Sequence, residues 1–280
     1  MNKIYAACLF AILFMMHSCD TKVKQAKHSG RDTVDNQQSM AQQNFPNRLN
    51  IPIPTDEVVD EFYEAIFAND NTKARKMLET TFPANYEPKN KIRPLEAVIS
   101  TSDNLYLARL LVEGGANITQ TENPLVVRCA EYGRLGILKY LVERKVNINN
   151  NEAFNKAGFY QFYDCAKFLL LNGANQEKGD VGGKLWFFEQ AVNKFDYEVL
   201  DALNLSKADL DNNNCDGETA VIIAVKKNNL KMVSYLIKKG ADKGKKETFD
   251  CGDDIHYGKT PLKIAMDNKY EDIVQLIRGS

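Results

Sequence analysis

The feature that most constrains the fold is the segment DGETAVIIAVKKNNLKMVSYLIKKGAD, residues 216–242. Its Asp-Gly pair suits a tight turn, and Thr219 is predicted to cap a short helix because its hydroxyl can accept a hydrogen bond from an unpaired backbone N–H. Asn228 and Asn229 interrupt the apolar pattern, which resumes as a second helix. Gly240 is predicted to end that helix in a left-handed conformation. The segment therefore predicts two antiparallel helices joined by a turn.

The same unit recurs along the chain. A small or medium-sized residue at the middle of the first helix returns at intervals of 33, 31, 28, 34, 33 and 41 residues, at Ala65, Val98, Cys129, Ala157, Ala191, Ala224 and Ala265. Glycine-alanine endings return at residues 115–116, 173–174 and 240–241. Stacked units of this kind bury a shared core that one unit alone cannot bury. We therefore predict seven helix-turn-helix units.

This pattern resembles the ankyrin repeat over about residues 57–280. The resemblance implies an all-α ankyrin-repeat solenoid of about seven helix-turn-helix units, in which the turns and first helices line a concave face. Members of the family use that face to hold other proteins. The last unit keeps the family's Thr-Pro-Leu at residues 260–262, whereas Lys263 replaces the histidine that normally follows. A divergent, less regular array is therefore expected.

The first residues have the pattern of an export signal. Lys3 precedes a largely apolar run over residues 4–16, which is long enough for the core of a signal peptide and too short for a comfortable membrane span. The next residues resemble a bacterial lipoprotein signal, which implies that Cys19 becomes the lipidated first residue of the mature protein. Simple secretion with cleavage nearby is the alternative. We expect residues 1–18 to be a signal peptide and the protein to be lipid-anchored in the bacterial cell envelope, in the periplasm or at the outer membrane.

Residues 19–56 are predicted to be the lipidated cysteine and a flexible tether. This stretch is rich in Lys, Gln, Asn and Ser and contains too little apolar surface to offset the entropy lost on ordering. The folded domain is predicted to occupy residues 57–280.

The overall charge excludes a general attraction to polyanions. The chain has 36 basic and 37 acidic residues and a net charge of −1. Neither nucleic acid nor an anionic membrane surface would be attracted by such a balance. We therefore expect no nucleic-acid partner and contact with a membrane through the lipid anchor alone. The resemblance to ankyrin repeats implies a protein partner on the concave face, and we expect a monomer.

Groups suited to catalysis are sparse. Of the three histidines, His256 is the one in the predicted folded domain, and no GxSxG or HExxH motif occurs. Two acidic loops, residues 209–216 and 250–256, contain carboxylates that could suit zinc or calcium, but their spacing fits neither motif. No catalytic residue, metal ligand or cofactor is assigned, and a metal-dependent or other enzyme is the less favoured alternative.

Two cysteines are candidates for a disulfide. Cys215 and Cys251 fall in neighbouring loops of a protein predicted to be exported, where disulfides can form. Two free surface thiols are the equal alternative. Cys129 and Cys165 fall at core positions, where cysteine acts as a small hydrophobic residue.

Candidate partner-binding residues come from the first helices of successive units. Positions that should face the concave side carry cationic and aromatic side chains, a composition typical of binding hot spots. The assigned residues are Arg128, Tyr132, Lys156, Phe159, Tyr160 and Lys194. Ordinary solvated side chains are the alternative for any one of them. Trp186 is instead placed at the N-cap position of the fifth unit, as a packing residue.

These observations together predict a protein-binding module exported to the cell envelope. Two roles of the family suit that location: an immunity protein that blocks a toxic effector, and a helper in periplasmic stress defence. An envelope scaffold without a single partner is the alternative.

Overall fold

The computed structural model describes residues 51–119, 124–248 and 258–280, and every regular element within these ranges is a helix. The helices form seven antiparallel pairs: α1 (Asp56–Phe67) with α2 (Asn71–Thr80), α3 (Pro94–Thr101) with α4 (Leu105–Glu113), α5 (Leu125–Tyr132) with α6 (Leu135–Glu143), α7 (Ala153–Phe159) with α8 (Tyr163–Leu171), α9 (Gly182–Lys194) with α10 (Tyr197–Ala202), then, after the single-turn α11 (Lys207–Leu210), α12 (Ala220–Lys226) with α13 (Leu230–Lys238), and α14 (Pro261–Asp267) with α15 (Glu271–Gly279).

The pairs stack into two rows of helices. Each first helix packs against the first helix of the next pair, from α1 through to α14. The second helices pack in the same way from α2 to α10, and again between α13 and α15. Side chains between the rows form a continuous apolar core, which includes the fully buried Phe62, Leu111, Leu138 and Phe187. This arrangement confirms the predicted all-α solenoid of seven helix-turn-helix units.

Short-range signals set the ends of the helices. A residue with positive φ, between 51° and 67°, lies in the turn between the two helices of six pairs in the described part of the chain, at Asn69, Gly133, Gln161, Phe195, Asn228 and Lys269. Thr219 accepts a hydrogen bond from the backbone N–H of Ile222 and Gly240 has φ of 98°, which confirms the two predictions made for this unit.

Neighbouring units exchange hydrogen bonds with one another's helix ends. The carboxylate of Asp103, in the second unit, accepts bonds from the backbone N–H groups of Gly136 at 2.7 Å and Ile137 at 2.9 Å, at the start of α6. In return, the guanidinium of Arg134 donates to the carbonyl oxygens of Ile99 at 2.7 Å and Ser100 at 3.1 Å, near the end of α3. Both contacts satisfy groups that a helix end leaves unpaired.

The fifth unit differs from its neighbours. Helix α9 begins at Gly182, so Trp186 lies inside the helix and its placement at the N-cap is wrong. The early start is possible because Gly183 lets α9 approach α7 closely: a Cβ on Gly183 would lie 2.0 Å from the carbonyl oxygen of Asn155. The side-chain amide of the buried Asn155 donates to the carbonyl oxygens of residues 176 and 178, at 2.8 Å each. These bonds hold the loop before α9 in place.

The buried cysteines behave as packing residues. Cys129 and Cys165 are both buried, as predicted. Burial raises the pKa of the Cys165 thiol to about 12 and also raises the pKa of Cys129. Since the thiolate is the reactive form, neither side chain is suited to nucleophilic chemistry at neutral pH.

Among the described residues, no helix combines the length and the hydropathy needed to cross a bilayer.

Candidate functional site

The six assigned residues lie on or beside three successive first helices, and we refer to them as the aromatic surface: Arg128, Tyr132, Lys156, Phe159, Tyr160 and Lys194. Its aromatic members are well exposed, with 38% of Tyr132, 56% of Phe159 and 45% of Tyr160 accessible to solvent. Cys129, Ala157 and Ala191 of the same helices are buried in the core instead. The aromatic side chains therefore do not contribute to the hydrophobic core of the solenoid.

A carboxylate that sequence reasoning missed joins two of the cations. Glu131 accepts a hydrogen bond from the Arg128 guanidinium at 3.1 Å, and its other oxygen lies 3.7 Å from the Lys156 ammonium. The Lys156 ammonium also lies 3.5 Å from the carboxylate of Glu152, the residue just before α7. Arg128 and Lys156, from α5 and α7, are thus brought together across the boundary between two units. No local pattern marks Glu131 as the bridge, because the contact depends on how the two units stack.

Two guanidinium groups lie close to the ring of Tyr132. The central carbons of Arg128 and Arg134 lie 6.0 Å and 5.8 Å from the centroid of its ring. Such contacts favour a fixed ring orientation through the attraction between a cation and the face of an aromatic ring. The ring is therefore held in place while more than a third of it stays exposed.

The remaining members make two separate contacts. Phe159 and Tyr160 pack edge to face, with ring centroids 5.2 Å apart, at the end of α7. The Lys194 ammonium lies 5.0 Å from the ring centroid of Tyr163, at the start of α8. Lys194 thus contacts the start of the second helix of the fourth unit and stands apart from the pair of Arg128 and Lys156.

A second feature, which sequence reasoning did not assign, is a cavity of about 360 Å³ between α9 and α12. Leu185, Trp186 and Glu189 of α9 form one wall, Ile223 of α12 forms the other, and the loop of residues 212–215 closes one side. Ile223 occupies the position in its unit that Arg128 and Lys156 occupy in theirs. In the sequence, the available signal for this cavity was Trp186, the single tryptophan of the chain.

The carboxylates around this cavity are in different electrostatic states. Asp209 lies 3.3 Å from the buried Lys184 ammonium, and Glu218 lies 2.6 Å from the Lys226 ammonium. Burial raises the pKa of Glu189, the nearby charges of Asp216 and Glu218 raise it further, and a hydrogen bond from Asn214 opposes the shift. Glu189 is therefore the carboxylate of the cavity whose ionised form is least stabilised.

The candidate disulfide, the candidate lipidation site and an acidic loop fall partly or wholly outside the described residues. Cys215 lies exposed beside the cavity. Cys251, Cys19 and the acidic loop at residues 250–256 lie outside the described residues, so the disulfide and the lipidation stay predictions. In the part of the chain that the structure describes, no three His, Cys, Asp or Glu side chains are arranged to hold a metal ion.

The chain resembles known proteins in both sequence and fold. The model of the ankyrin repeats family, with three copies, matches residues 188–280. The human ASB11 ankyrin repeat domain superposes with a TM-score of 0.49 at 16% sequence identity, over 78% of this chain and 98% of that domain.

The second match is to a much longer protein. An L-asparaginase of Dirofilaria immitis is 21% identical over 231 residues, which is 80% of this chain but 36% of the asparaginase. A match at this identity, to about a third of that protein, does not support asparaginase activity here. Ankyrin repeats are present in this chain, matched by sequence over residues 188–280 and preceded by four further helix pairs of the same design.

Proposed function

We propose that this chain is a protein-binding ankyrin module that holds a protein partner on the aromatic surface. The observation that carries the proposal is the exposure of Tyr132, Phe159 and Tyr160 beside Arg128 and Lys156 on adjacent units. Exposed, grouped aromatic side chains are unfavourable in water unless another molecule covers them. Ankyrin repeats generally mediate contacts between proteins, which supports the same conclusion.

The chemistry of the aromatic surface suits a protein interface. Tyrosine and arginine supply large contact areas and directed hydrogen bonds, and they are enriched among residues that dominate binding energy. The Arg128 and Lys156 cations have two carboxylate neighbours, Glu131 and Glu152, and Glu131 contacts both cations. The surface therefore fits a partner with apolar and hydrogen-bonding groups.

Capture from an envelope extract by the full-length chain tests this proposal, with two matched variants. Phe159→Ala removes an aromatic ring that is 56% exposed within the aromatic surface, and Phe67→Ala removes one that is 57% exposed in the first unit. We expect Phe159→Ala to lose a protein that both the wild type and Phe67→Ala retain. Equal retention by both variants would show that the aromatic surface is not the binding site.

We also propose that the module is exported and lipid-anchored in the bacterial cell envelope through Cys19. The support is the sequence pattern of the first 19 residues, which ends in a cysteine after an apolar run. Cys19→Ser should move the protein from the membrane fraction to the soluble fraction, because acyl chains supply the membrane affinity. Unchanged fractionation would contradict lipidation at this residue.

Within this proposal two roles are consistent with the location, immunity against a toxic effector and stress defence. The identity of the captured protein distinguishes them, because the first role requires a toxin and the second a component of the stress response. Capture of no single protein would favour an envelope scaffold.

A further inference from the structure

The cavity between α9 and α12 contains one carboxylate without a cationic partner. Asp209 is paired with Lys184, and Glu218 is paired with Lys226, which also lies 3.1 Å from Glu247. Among the described residues, no lysine, arginine or histidine lies within 4 Å of the Glu189 carboxylate. Its neighbours are the amide of Asn214 and further acidic groups.

A half-buried carboxylate in this position is unfavourable by itself. Transfer of a charge from water into a partly apolar site costs free energy unless an opposite charge or several hydrogen bonds replace the water. A single hydrogen bond from Asn214 replaces little of that hydration. The negative charges of Asp216 and Glu218 add repulsion, so the ionised Glu189 side chain has more acidic than basic neighbours.

We propose that this cavity receives a cationic side chain, arginine or lysine, of the protein partner, with Glu189 as its counter-ion. The inference rests on the proposed function, since it names the chemistry of one contact in the same partner. It goes beyond the aromatic surface because the residues are different and line a separate cavity between α9 and α12.

The walls of the cavity suit both parts of such a side chain. Leu185 and Ile223 are apolar and can cover the methylene groups that lysine and arginine bury beside their charged ends. Trp186 supplies an indole ring, the aromatic group that attracts a nearby cation most strongly. The volume of about 360 Å³ lies at the lower end of the range for ligand pockets, as expected for one long side chain.

Other occupants fit the cavity less well. An anion would meet the charges of Glu189, Asp216 and Glu218. A calcium ion needs six to eight oxygen ligands, whereas Asp209 and Glu218 already bind lysines. A purely apolar side chain would bury Glu189 further and leave its charge without a partner. A cation is the occupant that offsets the free-energy cost of burying the Glu189 charge.

A pair of peptides that differ in one charge tests the proposal. Acetyl-Ala-Arg-Ala-amide and acetyl-Ala-citrulline-Ala-amide have side chains of nearly equal shape, but citrulline is neutral. Both are titrated into the full-length chain in a non-ionic detergent. Trp186 is the single tryptophan of the sequence, so its fluorescence reports on this cavity alone. We expect the arginine peptide to bind at least about tenfold more tightly, the ratio that corresponds to 1.4 kcal/mol.

Two variants separate a specific contact from general attraction. Glu189→Gln keeps the size of the side chain and removes its charge, so the preference for arginine should disappear. Asp216→Asn removes an exposed negative charge nearby, and we expect it to weaken binding of the arginine peptide less than about threefold, since exposed charges interact weakly. Equal losses in both variants, equal binding of both peptides, or no binding of the arginine peptide would each overturn the proposal.

If Glu189→Gln does not fold, the pH dependence of peptide binding to the wild type tests the proposal instead. Protonation of Glu189 removes the counter-ion, so affinity for the arginine peptide should fall as the pH is lowered through the raised pKa of Glu189, while the citrulline peptide should show no such trend. A flat profile for the arginine peptide would contradict the proposal.

The outcomes also separate this inference from the proposed function. If the wild type and Glu189→Gln capture the same partner equally, the cation site is wrong and the binding module stands. If the wild type captures no partner, the proposed function fails whatever the peptides show.

Discussion

Gly158 and Gly183 face each other where α7 packs against α9: a Cβ on Gly158 would lie 2.2 Å from the carbonyl oxygen of Gly183. At this distance the backbones of two neighbouring units are in contact, with no room for a side chain between them. The contact sets how closely the fifth unit stacks on the fourth. It therefore also positions α9, which carries Trp186 and Glu189.

Gly183→Ala should destabilise the protein although alanine favours a helix. The added methyl would meet the carbonyl oxygen of Asn155 at 2.0 Å, and relief of that clash requires a backbone shift that costs about 1–3 kcal/mol. The gain in helix propensity is about 1 kcal/mol at most. Chemical denaturation measures the difference, with Gly279→Ala in α15 as the control, because no atom lies within 4 Å of a Cβ there. An unchanged midpoint for Gly183→Ala would show that the two helices can separate freely.

The hydrogen bonds of Asp103 should stabilise the boundary between the second and third units. Asp103→Ala leaves the backbone N–H groups of Gly136 and Ile137 without their acceptors, and loss of a helix cap typically costs about 1 kcal/mol. Asp103→Asn keeps one acceptor oxygen, so we expect about half that loss. The melting temperature of the two variants measures it. A larger loss for asparagine than for alanine would rule out the capping role.

Glu189 should make stability depend on pH in a definite direction. Because its pKa is higher in the folded protein than its ordinary value of 4.5, it favours folding at low pH, and this contribution is lost as the pH rises through the raised pKa. Glu189→Gln lacks the ionised form. Its melting temperature should exceed that of the wild type at pH 7 and match it below pH 4.5. A constant difference at all pH values would contradict the raised pKa.

The pairing of Cys215 with Cys251 is testable by thiol counting. A chain of residues 20–280 contains four cysteines, at positions 129, 165, 215 and 251. If the two loop cysteines form a disulfide, the denatured and unreduced protein should show two reactive thiols. Four reactive thiols would exclude the bond. The count is independent of burial, because denaturation exposes Cys129 and Cys165 equally.

The helix pairs could be predicted from the sequence because their signals are local. The N-cap at Thr219 and the positive φ at Gly240 each depend on a few neighbouring residues, and the repeat confirms each signal at several places. The first helix of the fifth unit could not be placed correctly, since its start depends on Gly183 meeting Asn155 of the previous unit.

In the candidate site, likewise, local features could be predicted from the sequence and contacts between units could not. The exposure of Tyr132, Phe159 and Tyr160 followed from their positions relative to the core residues of the repeat. The bridge through Glu131 and the cavity beside Glu189 did not, because each joins residues that are about 25 to 35 positions apart in the chain. Contacts at that separation depend on the stacking of units, which periodicity alone does not specify.

The most direct test of the binding module combines two measurements on one variant, Tyr132→Ala with Tyr160→Ala. Loss of an aromatic anchor at an interface commonly costs about 2 kcal/mol, roughly thirtyfold in affinity, whereas a solvated surface change alters stability by less than about 0.5 kcal/mol. Both rings are more than a third exposed. We expect affinity for the captured partner to fall at least about thirtyfold while the melting temperature stays nearly unchanged. Unchanged affinity in a folded variant would contradict the account, and so would unfolding, because the tyrosines would then belong to the core.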